Sequence, residues 1–392
     1  MKIETKAVHS GDRKKLPDSV PVTTPINTAT TYLYEKTEDL DRIFAREQAG
    51  FCYSRYDNPT NAALEELVTD LEGGAGALAC ASGMAALQFA IQAALTDRRK
   101  KILAANALYG ASVSLLMNVF APLDVEIRWV DICDLEAVRA ATAEFQPGCV
   151  LMESVSNPLL RVGPMDEVAR IVSAARAALV VDNTFATPML VRPLEQGAHL
   201  VVHSLTKYLA GHGDVLGGVI VSDAAHIETL RALSRACGPV LGPFESYLAM
   251  RGIKTFPLRM ERQCANAVRV ASWLREHPGV GRVHFPADPA HPDAATIERL
   301  FTPGLYGAMV SFDLRNGSRE SVFRFMDALR LVVRGTSLGD VHTMVLYPVM
   351  SSHREISPKQ RERMGIRDSL IRLSVGIEAA EDIVADLEQA LG

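Results

Sequence analysis

Between about residue 75 and residue 222, short runs of Val, Ile, Leu and Ala recur as "GALACAS", "KILAAN", "VEIRWVD", "CVLMES", "ALVVDN", "LVVHS" and "GGVIVS", with longer stretches of helical period between them. Runs apolar on both faces suit strands buried on both sides, and the intervals are long enough for crossover helices. The pattern therefore predicts an α/β region with a mainly parallel sheet covered by helices. Such sheets bind ligands beyond the C-terminal ends of their strands. Four runs end in a polar residue capable of chemistry, Ser82, Glu153, Asp182 and Ser204, and all four should face the same edge.

The flanking segments read differently. Residues 1 to about 60 carry prolines, threonines and aromatics in "VPVTTPINTATTYLYE" and "GFCYSRYDNPT" with little periodicity, which suits either an extended arm over a neighbouring subunit or a local loop cap. From about residue 246 a long helical pattern, "ESYLAMRGIKTFPLRMERQCANAVRVASWLREH", leads into a second α/β segment. There the sequence predicts strands over "GAMVSFDL", "LVVRGTSL" and "SLIRLSVGIE", and helices over "ESVFRFMDALR" and "AAEDIVADLEQALG".

Composition narrows the function. A formal net charge of -5 with 22% charged residues leaves no basic excess for a phosphate backbone, so nucleic acid is excluded as a partner. The N-terminal "MKIETKAVHSGDRKK" lacks the apolar stretch of a secretory signal, and no long uninterrupted apolar run occurs, so a cytoplasmic protein without a membrane partner is expected. The six cysteines form no Cys-x-x-Cys pair, and no metal site is expected.

The chemistry centres on "HSLTKYLAGHGD", His203 to Asp214, where a serine stands three places before a lysine. A Ser-x-x-Lys box marks one class of serine acyltransferases, but that class also needs Ser-Asp-Asn and Lys-Thr-Gly partners, which "VSDAA" and "GIKTF" do not supply. The alternative makes Lys207 the nucleophile, forming a Schiff base with an aldehyde cofactor such as pyridoxal phosphate. That site needs a carboxylate for the pyridine nitrogen, and Asp182 closes a buried strand where an unpaired acid would be costly; a helix-capping Asp is the plainer reading of the same residue. In "ASGMAALQFAIQAAL" a Ser-Gly turn opens a helix, which would aim the N–H groups of Gly83 and Met84 at an anion. Ser204 and Thr206 would then donate to the same phosphate.

Taken together, "YSRYDNPT", "ASGMAA", "LYGAS", "VVDNTFATP", "HSLTKYLAGHGDVLGG", "SLGD" and "LIRLSVGIE" resemble the Cys/Met-metabolism family of pyridoxal-phosphate enzymes, in family order from about residue 53 to 377. The resemblance implies fold type I: an N-terminal arm over residues 1–57 contacting a neighbouring subunit, a cofactor-binding large domain over 58–245 and a smaller C-terminal α/β domain over 246–392. It also implies a homotetramer, a dimer of dimers with shared sites. Tyr53 and Arg55 match residues that reach the cofactor phosphate from the partner subunit. Tyr109 matches the tyrosine stacked on the cofactor ring, and Asn157 the asparagine near its 3′-oxygen, although the family usually has proline where Val155 stands. Arg372 matches the clamp for the substrate α-carboxylate, with Ser337 in its neighbourhood.

The implied reaction begins when substrate amine displaces Lys207, which then removes the Cα proton while Asp182 keeps the cofactor an effective electron sink. Tyr109 protonates a departing thiolate; hydrolysis gives 2-oxobutanoate and ammonia, whereas capture by a thiol gives γ-replacement. Cystathionine enzymes commonly carry Glu before the Ser-Leu-Gly motif, where this chain has Thr336; His342 stands where many members have Glu, Ala111 where methionine γ-lyases often have Cys, and "LYPVMSSHRE" replaces a His-Pro-Ala-Ser-Met-Thr-His pattern. The absent Glu weakens the case for a distal ammonium and tilts the reading toward a thioether such as methionine; a methionine or cystathionine γ-lyase is expected, ahead of a γ-synthase or homoserine-ester sulfhydrylase and then a β-lyase. A non-catalytic relative would fail to bind the cofactor.

Overall fold

The computed structural model describes residues 1–12, 20–96, 98–354, 361 and 364–392. Residues 13–19 of the expected arm and the last residue of "LYPVMSSHRE" lie outside them. Every apolar run of the central region forms a strand: β1 Gly76–Cys80, β2 Lys101–Ala105, β3 Glu126–Val130, β4 Cys149–Glu153, β5 Ala178–Asp182, β6 Leu200–Ser204 and β7 Gly218–Ser222. The sheet runs β1-β7-β6-β5-β4-β2-β3. Its pairs are parallel except those of β7, which is antiparallel to β1 and to β6. The two reversals cancel, so β1 points the same way as β6. Ser82, Glu153, Asp182 and Ser204 consequently share one edge, as the strand pattern requires.

Burial follows position in the sheet. Strands β4 and β7 are buried throughout, while β3 at the margin is partly exposed. The helix Pro59–Glu72 packs on β1 and β7, and the helix Gly83–Leu95 on β5, β6 and β7. The first has ordinary start and stop signals: Asn58 accepts hydrogen bonds from the N–H groups of Thr60 and Asn61, Pro59 opens the first turn, and Gly73 ends it at φ 75°.

The second sheet runs β10-β11-β12-β9-β8, with β8 Val280–His284, β9 Met309–Leu314, β10 Val333–Arg334, β11 Met344–Leu346 and β12 Leu370–Ser374. Of the strands anticipated here, β9 and β12 match, and both helices form as Arg319–Ala328 and Ala380–Leu391. "LVVRGTSL" differs: only Val333–Arg334 pairs, in parallel with β11, because the chain leaves the sheet at Gly335 to carry Ser337 toward the first sheet. The long helical pattern also divides, into Pro243–Ile253 and Phe256–Glu276. Pro257 cannot donate inside a continuous helix and stands in the first turn of the new one. In the N-terminal region, helices Ile3–His9 and Thr37–Phe44 form where periodicity was weak.

Candidate active site

Lys207 sits in the connection from β6 to β7, just past the end of β6. Its Nζ donates to Ser337 Oγ at 2.8 Å, not to Ser204. Burial, and then the charge of Arg372, push the lysine amine down to about 8. The turn is pinned from beneath by Arg259, whose guanidinium donates to the carbonyls of Tyr208 (2.8 Å), Leu209 (3.0 Å) and Gly252 (2.9 Å). The Ser337–Gly339 loop presses on it from the other sheet. A Cβ on Gly339, at φ 72°, would lie 2.5 Å from the Tyr208 nitrogen, so only glycine fits that crossing.

Beside the lysine is the turn after β1. Ser82 caps the helix Gly83–Leu95 by accepting from the N–H of Ala85 at 3.1 Å, which leaves the Gly83 and Met84 N–H groups without helical acceptors. A Cβ on Gly83 would lie 2.9 Å from Ser204 Cβ, and one on Gly218 2.3 Å from the Ser82 carbonyl oxygen. The glycines thus let a helix N-terminus, Ser204 and the start of β7 meet at one point. Thr206 Oγ1 accepts from Gly217 N at 3.1 Å, fixing its hydroxyl beside this cup.

Asp182 closes β5, its Oδ1 accepting from Thr184 N at 3.0 Å. Burial raises its carboxyl above the usual range despite the hydrogen bonds of Thr184. The next strand end, Glu153 on β4, is its register neighbour and accepts from Tyr109 N at 2.6 Å and Asn157 N at 3.1 Å. Asn157 Oδ1 in turn accepts from Arg372 Nη1 at 2.9 Å, and Arg372 Nη2 donates to the Ser337 carbonyl at 3.4 Å. Arg372 is buried on β12, with Nε unpartnered and its guanidinium 6.0 Å from the Phe185 ring centre. Desolvation pushes it down to about 10.

The structure therefore brings Lys207, Ser337, Asn157 and Arg372 into one hydrogen-bonded group, with Asp182 and Tyr109 joined to it through Glu153 and its register. Tyr109 is 39% exposed, its ring free to face a ligand. Thr336 is exposed next to Ser337. Tyr53 and Arg55 are engaged elsewhere in this chain: Arg55 donates to the Arg235 carbonyl and lies over the Tyr56 and Tyr53 rings at 4.8 and 5.6 Å. Sequence reasoning singled out Glu153 only as a strand end and passed over Arg259 and His353. The last is fully buried, its Nε2 unpartnered, and burial and the Arg372 charge push it down to about 4. Arg259 stands in a helix like any surface arginine, and nothing local signals its burial.

A pyridoxal phosphate fits this donor set. The cup at Gly83 and Met84 with Ser204 and Thr206 suits a phosphate, Asp182 is a half-buried carboxylate that a protonated ring nitrogen would neutralise, and Lys207 is a depressed amine suited to an aldehyde. Comparison with known proteins points the same way. A sequence model of the "Cys/Met metabolism PLP-dependent enzyme" family matches residues 4–392. An L-methionine gamma-lyase of Pseudomonas putida is 39% identical over 389 residues, spanning 99% of this chain and 96% of the relative. An O-succinylhomoserine sulfhydrylase of Pseudomonas aeruginosa is 37% identical over 366 residues, spanning 93% and 89%. Among solved structures, a cystathionine gamma-lyase from Lactobacillus plantarum complexed with L-serine superposes with a TM-score of 0.91 at 34% identity, covering 100% of this chain and 98% of the other.

Proposed function

Because the chain belongs to the Cys/Met-metabolism family of pyridoxal-phosphate-dependent enzymes, we propose that it is a carbon-sulfur lyase performing γ-elimination on methionine or cystathionine, with release of 2-oxobutanoate, ammonia and a thiol. The observation that carries this reading is the hydrogen-bonded group of Lys207, Ser337, Asn157 and Arg372, which joins a proton-accepting amine to a guanidinium suited to a carboxylate.

When bound, the cofactor supplies an aldehyde carbon for amine capture and a protonated ring that withdraws electrons. Gly83, Met84, Ser204 and Thr206 hold its phosphate, and Asp182 keeps its ring nitrogen protonated. The Arg372 Nε and Nη groups take the substrate α-carboxylate, with Asn157 holding the guanidinium plane. This leaves the substrate Cα near Lys207, whose amine, pushed down to about 8, has an appreciable neutral fraction at physiological pH and accepts the Cα proton. Ser337 orients that amine by accepting from Nζ. Lys207, once it has passed the first proton on, would accept a Cβ proton as well; the electron pair left behind would form the Cβ–Cγ double bond as the γ-sulfur leaves, and the Tyr109 phenol would give the departing thiolate a proton.

Thr336, exposed next to Ser337, supplies no carboxylate for a distal ammonium, which favours methionine over cystathionine. The likeness to an O-succinylhomoserine sulfhydrylase supports γ-replacement as the second reading. Among the described residues no helix is long and apolar enough to cross a membrane, and a cytoplasmic homotetramer is proposed. Its subunit is divided into an arm over 1–57, a cofactor domain over 58–245 and a small domain over 246–392, with Tyr53 and Arg55 serving the neighbouring site. The test is a visible spectrum with an assay for 2-oxobutanoate on L-methionine, L-cystathionine and an O-acylhomoserine plus thiol. Oxoacid from either thioether upholds elimination, thioether product from the ester alone moves the reaction to replacement, and a protein that stays colourless with added cofactor removes the enzyme.

A further inference from the structure

Glu153 has no assigned task in the reaction, yet it is a buried acid at the end of β4, beside Asp182. Its two oxygens serve different connections. One accepts from the N–H of Tyr109, where the chain turns from β2 into the helix Gly110–Leu115; the other accepts from the N–H of Asn157, in the segment after β4. The helix Gly110–Leu115 has no side-chain cap of its own, and Glu153 anchors its N-cap residue, Tyr109, by accepting from that residue's N–H. Through Asn157 the chain of hydrogen bonds continues to Arg372 on the second sheet.

We propose that Glu153 is a positioning residue, which sets the spacing between the Tyr109 ring and the Asn157–Arg372 clamp by holding both backbones with one rigid carboxyl. The inference rests on the reading of Tyr109, Asn157 and Arg372 as cofactor and substrate contacts. Packing alone gives no reason for an acid here. Burial, and then the adjacent Asp182 charge, push Glu153 up to about 8 even though two N–H groups favour its ionised form. An apolar side chain of similar size would fill the volume without that cost, but it would leave two buried N–H groups unpaired and the two connections free to move apart.

The test compares the parent with Glu153→Gln, equal in length but with one acceptor oxygen in place of two. The apo protein is titrated with pyridoxal phosphate and its melting followed; KM and kcat are measured on the holoenzyme. Cofactor Kd and substrate KM are each expected to rise about tenfold, the size of one lost buried hydrogen bond, while the apo Tm holds within about 4 °C of the parent. In an Asn157→Ala background the added KM effect should shrink, since the link to Arg372 is already cut. Should Glu153→Gln fail to fold, Glu153→Asp, which keeps the carboxyl but is one methylene too short to reach both N–H groups, is measured in the same way and should raise Kd and KM alike. A parent that binds no cofactor removes the functional reading and this inference with it. A parent that binds, beside a variant whose Tm alone falls while Kd and KM stay unchanged, overturns the inference and leaves the function standing.

Discussion

Two residues set the pH behaviour of the site. Lys207 is pushed down to about 8 by burial and by Arg372, so below that pH the free amine is mainly protonated and cannot attack an aldehyde. Capture of pyridoxal phosphate by the apo protein should therefore quicken as pH rises through about 8, followed by the growth of the lysine-linked visible absorbance. Removing a positive neighbour favours the charged amine, so Arg372→Gln should move that midpoint upward; a downward move would contradict the electrostatic coupling. Lys207→Ala should abolish both that absorbance and turnover, and retained turnover comparable to the parent would refute the mechanism. Lys207 and Asp182 were legible in the sequence because each stands at or just past the end of an apolar run, where a polar group calls for a reason. The partnership of Glu153 with Tyr109 and Asn157 was not, since it joins N–H groups of separate connections, and backbone donors look alike in any sequence.

Six strands of the first sheet were readable because burial on both faces leaves mainly apolar runs, whereas β3 at the margin is partly exposed and sets Glu126 and Arg128 among apolar residues. Strand β8 was hidden: "VGRVH" has an exposed Gly-Arg pair and an irregular register between Val280 and Arg282. Three-residue β11 is too short for any period to show. What the strand pattern also cannot express is how closely two elements cross. The loop at Gly339 meets the lysine turn at a distance that excludes a Cβ, with φ in the left-handed region. Gly339→Ala should cost about 1–3 kcal/mol of stability in urea unfolding for the backbone strain alone, and it should slow cofactor capture by pushing Ser337 off Nζ. An unchanged denaturation midpoint would show that the loop yields freely.

At the level of the whole molecule, the N-terminal region exposes Val22, Leu33 and Phe44, with Leu33 97% accessible, and Leu216, Phe244 and Leu258 are exposed elsewhere. Subunit association is the proposed cover for these groups, and light scattering should find a particle four times the chain mass. In that assembly Arg55→Ala should weaken cofactor binding even though the residue lies outside its own chain's cluster; an unchanged affinity would count against shared sites. The single reversed strand β7 has a further consequence, for the order in which the molecule folds. Its pairing with β6 is a local hairpin that carries the lysine turn with it, whereas its pairing with β1 joins Cys80 to Gly218 from far back along the chain. Local contacts form ahead of distant ones because less loop entropy is lost in closing them. The lysine turn is then made early and the anion cup late, when β1 docks and brings Ser82 and Gly83 against Ser204 and Gly218. Pyridoxal phosphate, by gripping both sides of that last seam, would act as a clasp that keeps the finished sheet from reopening.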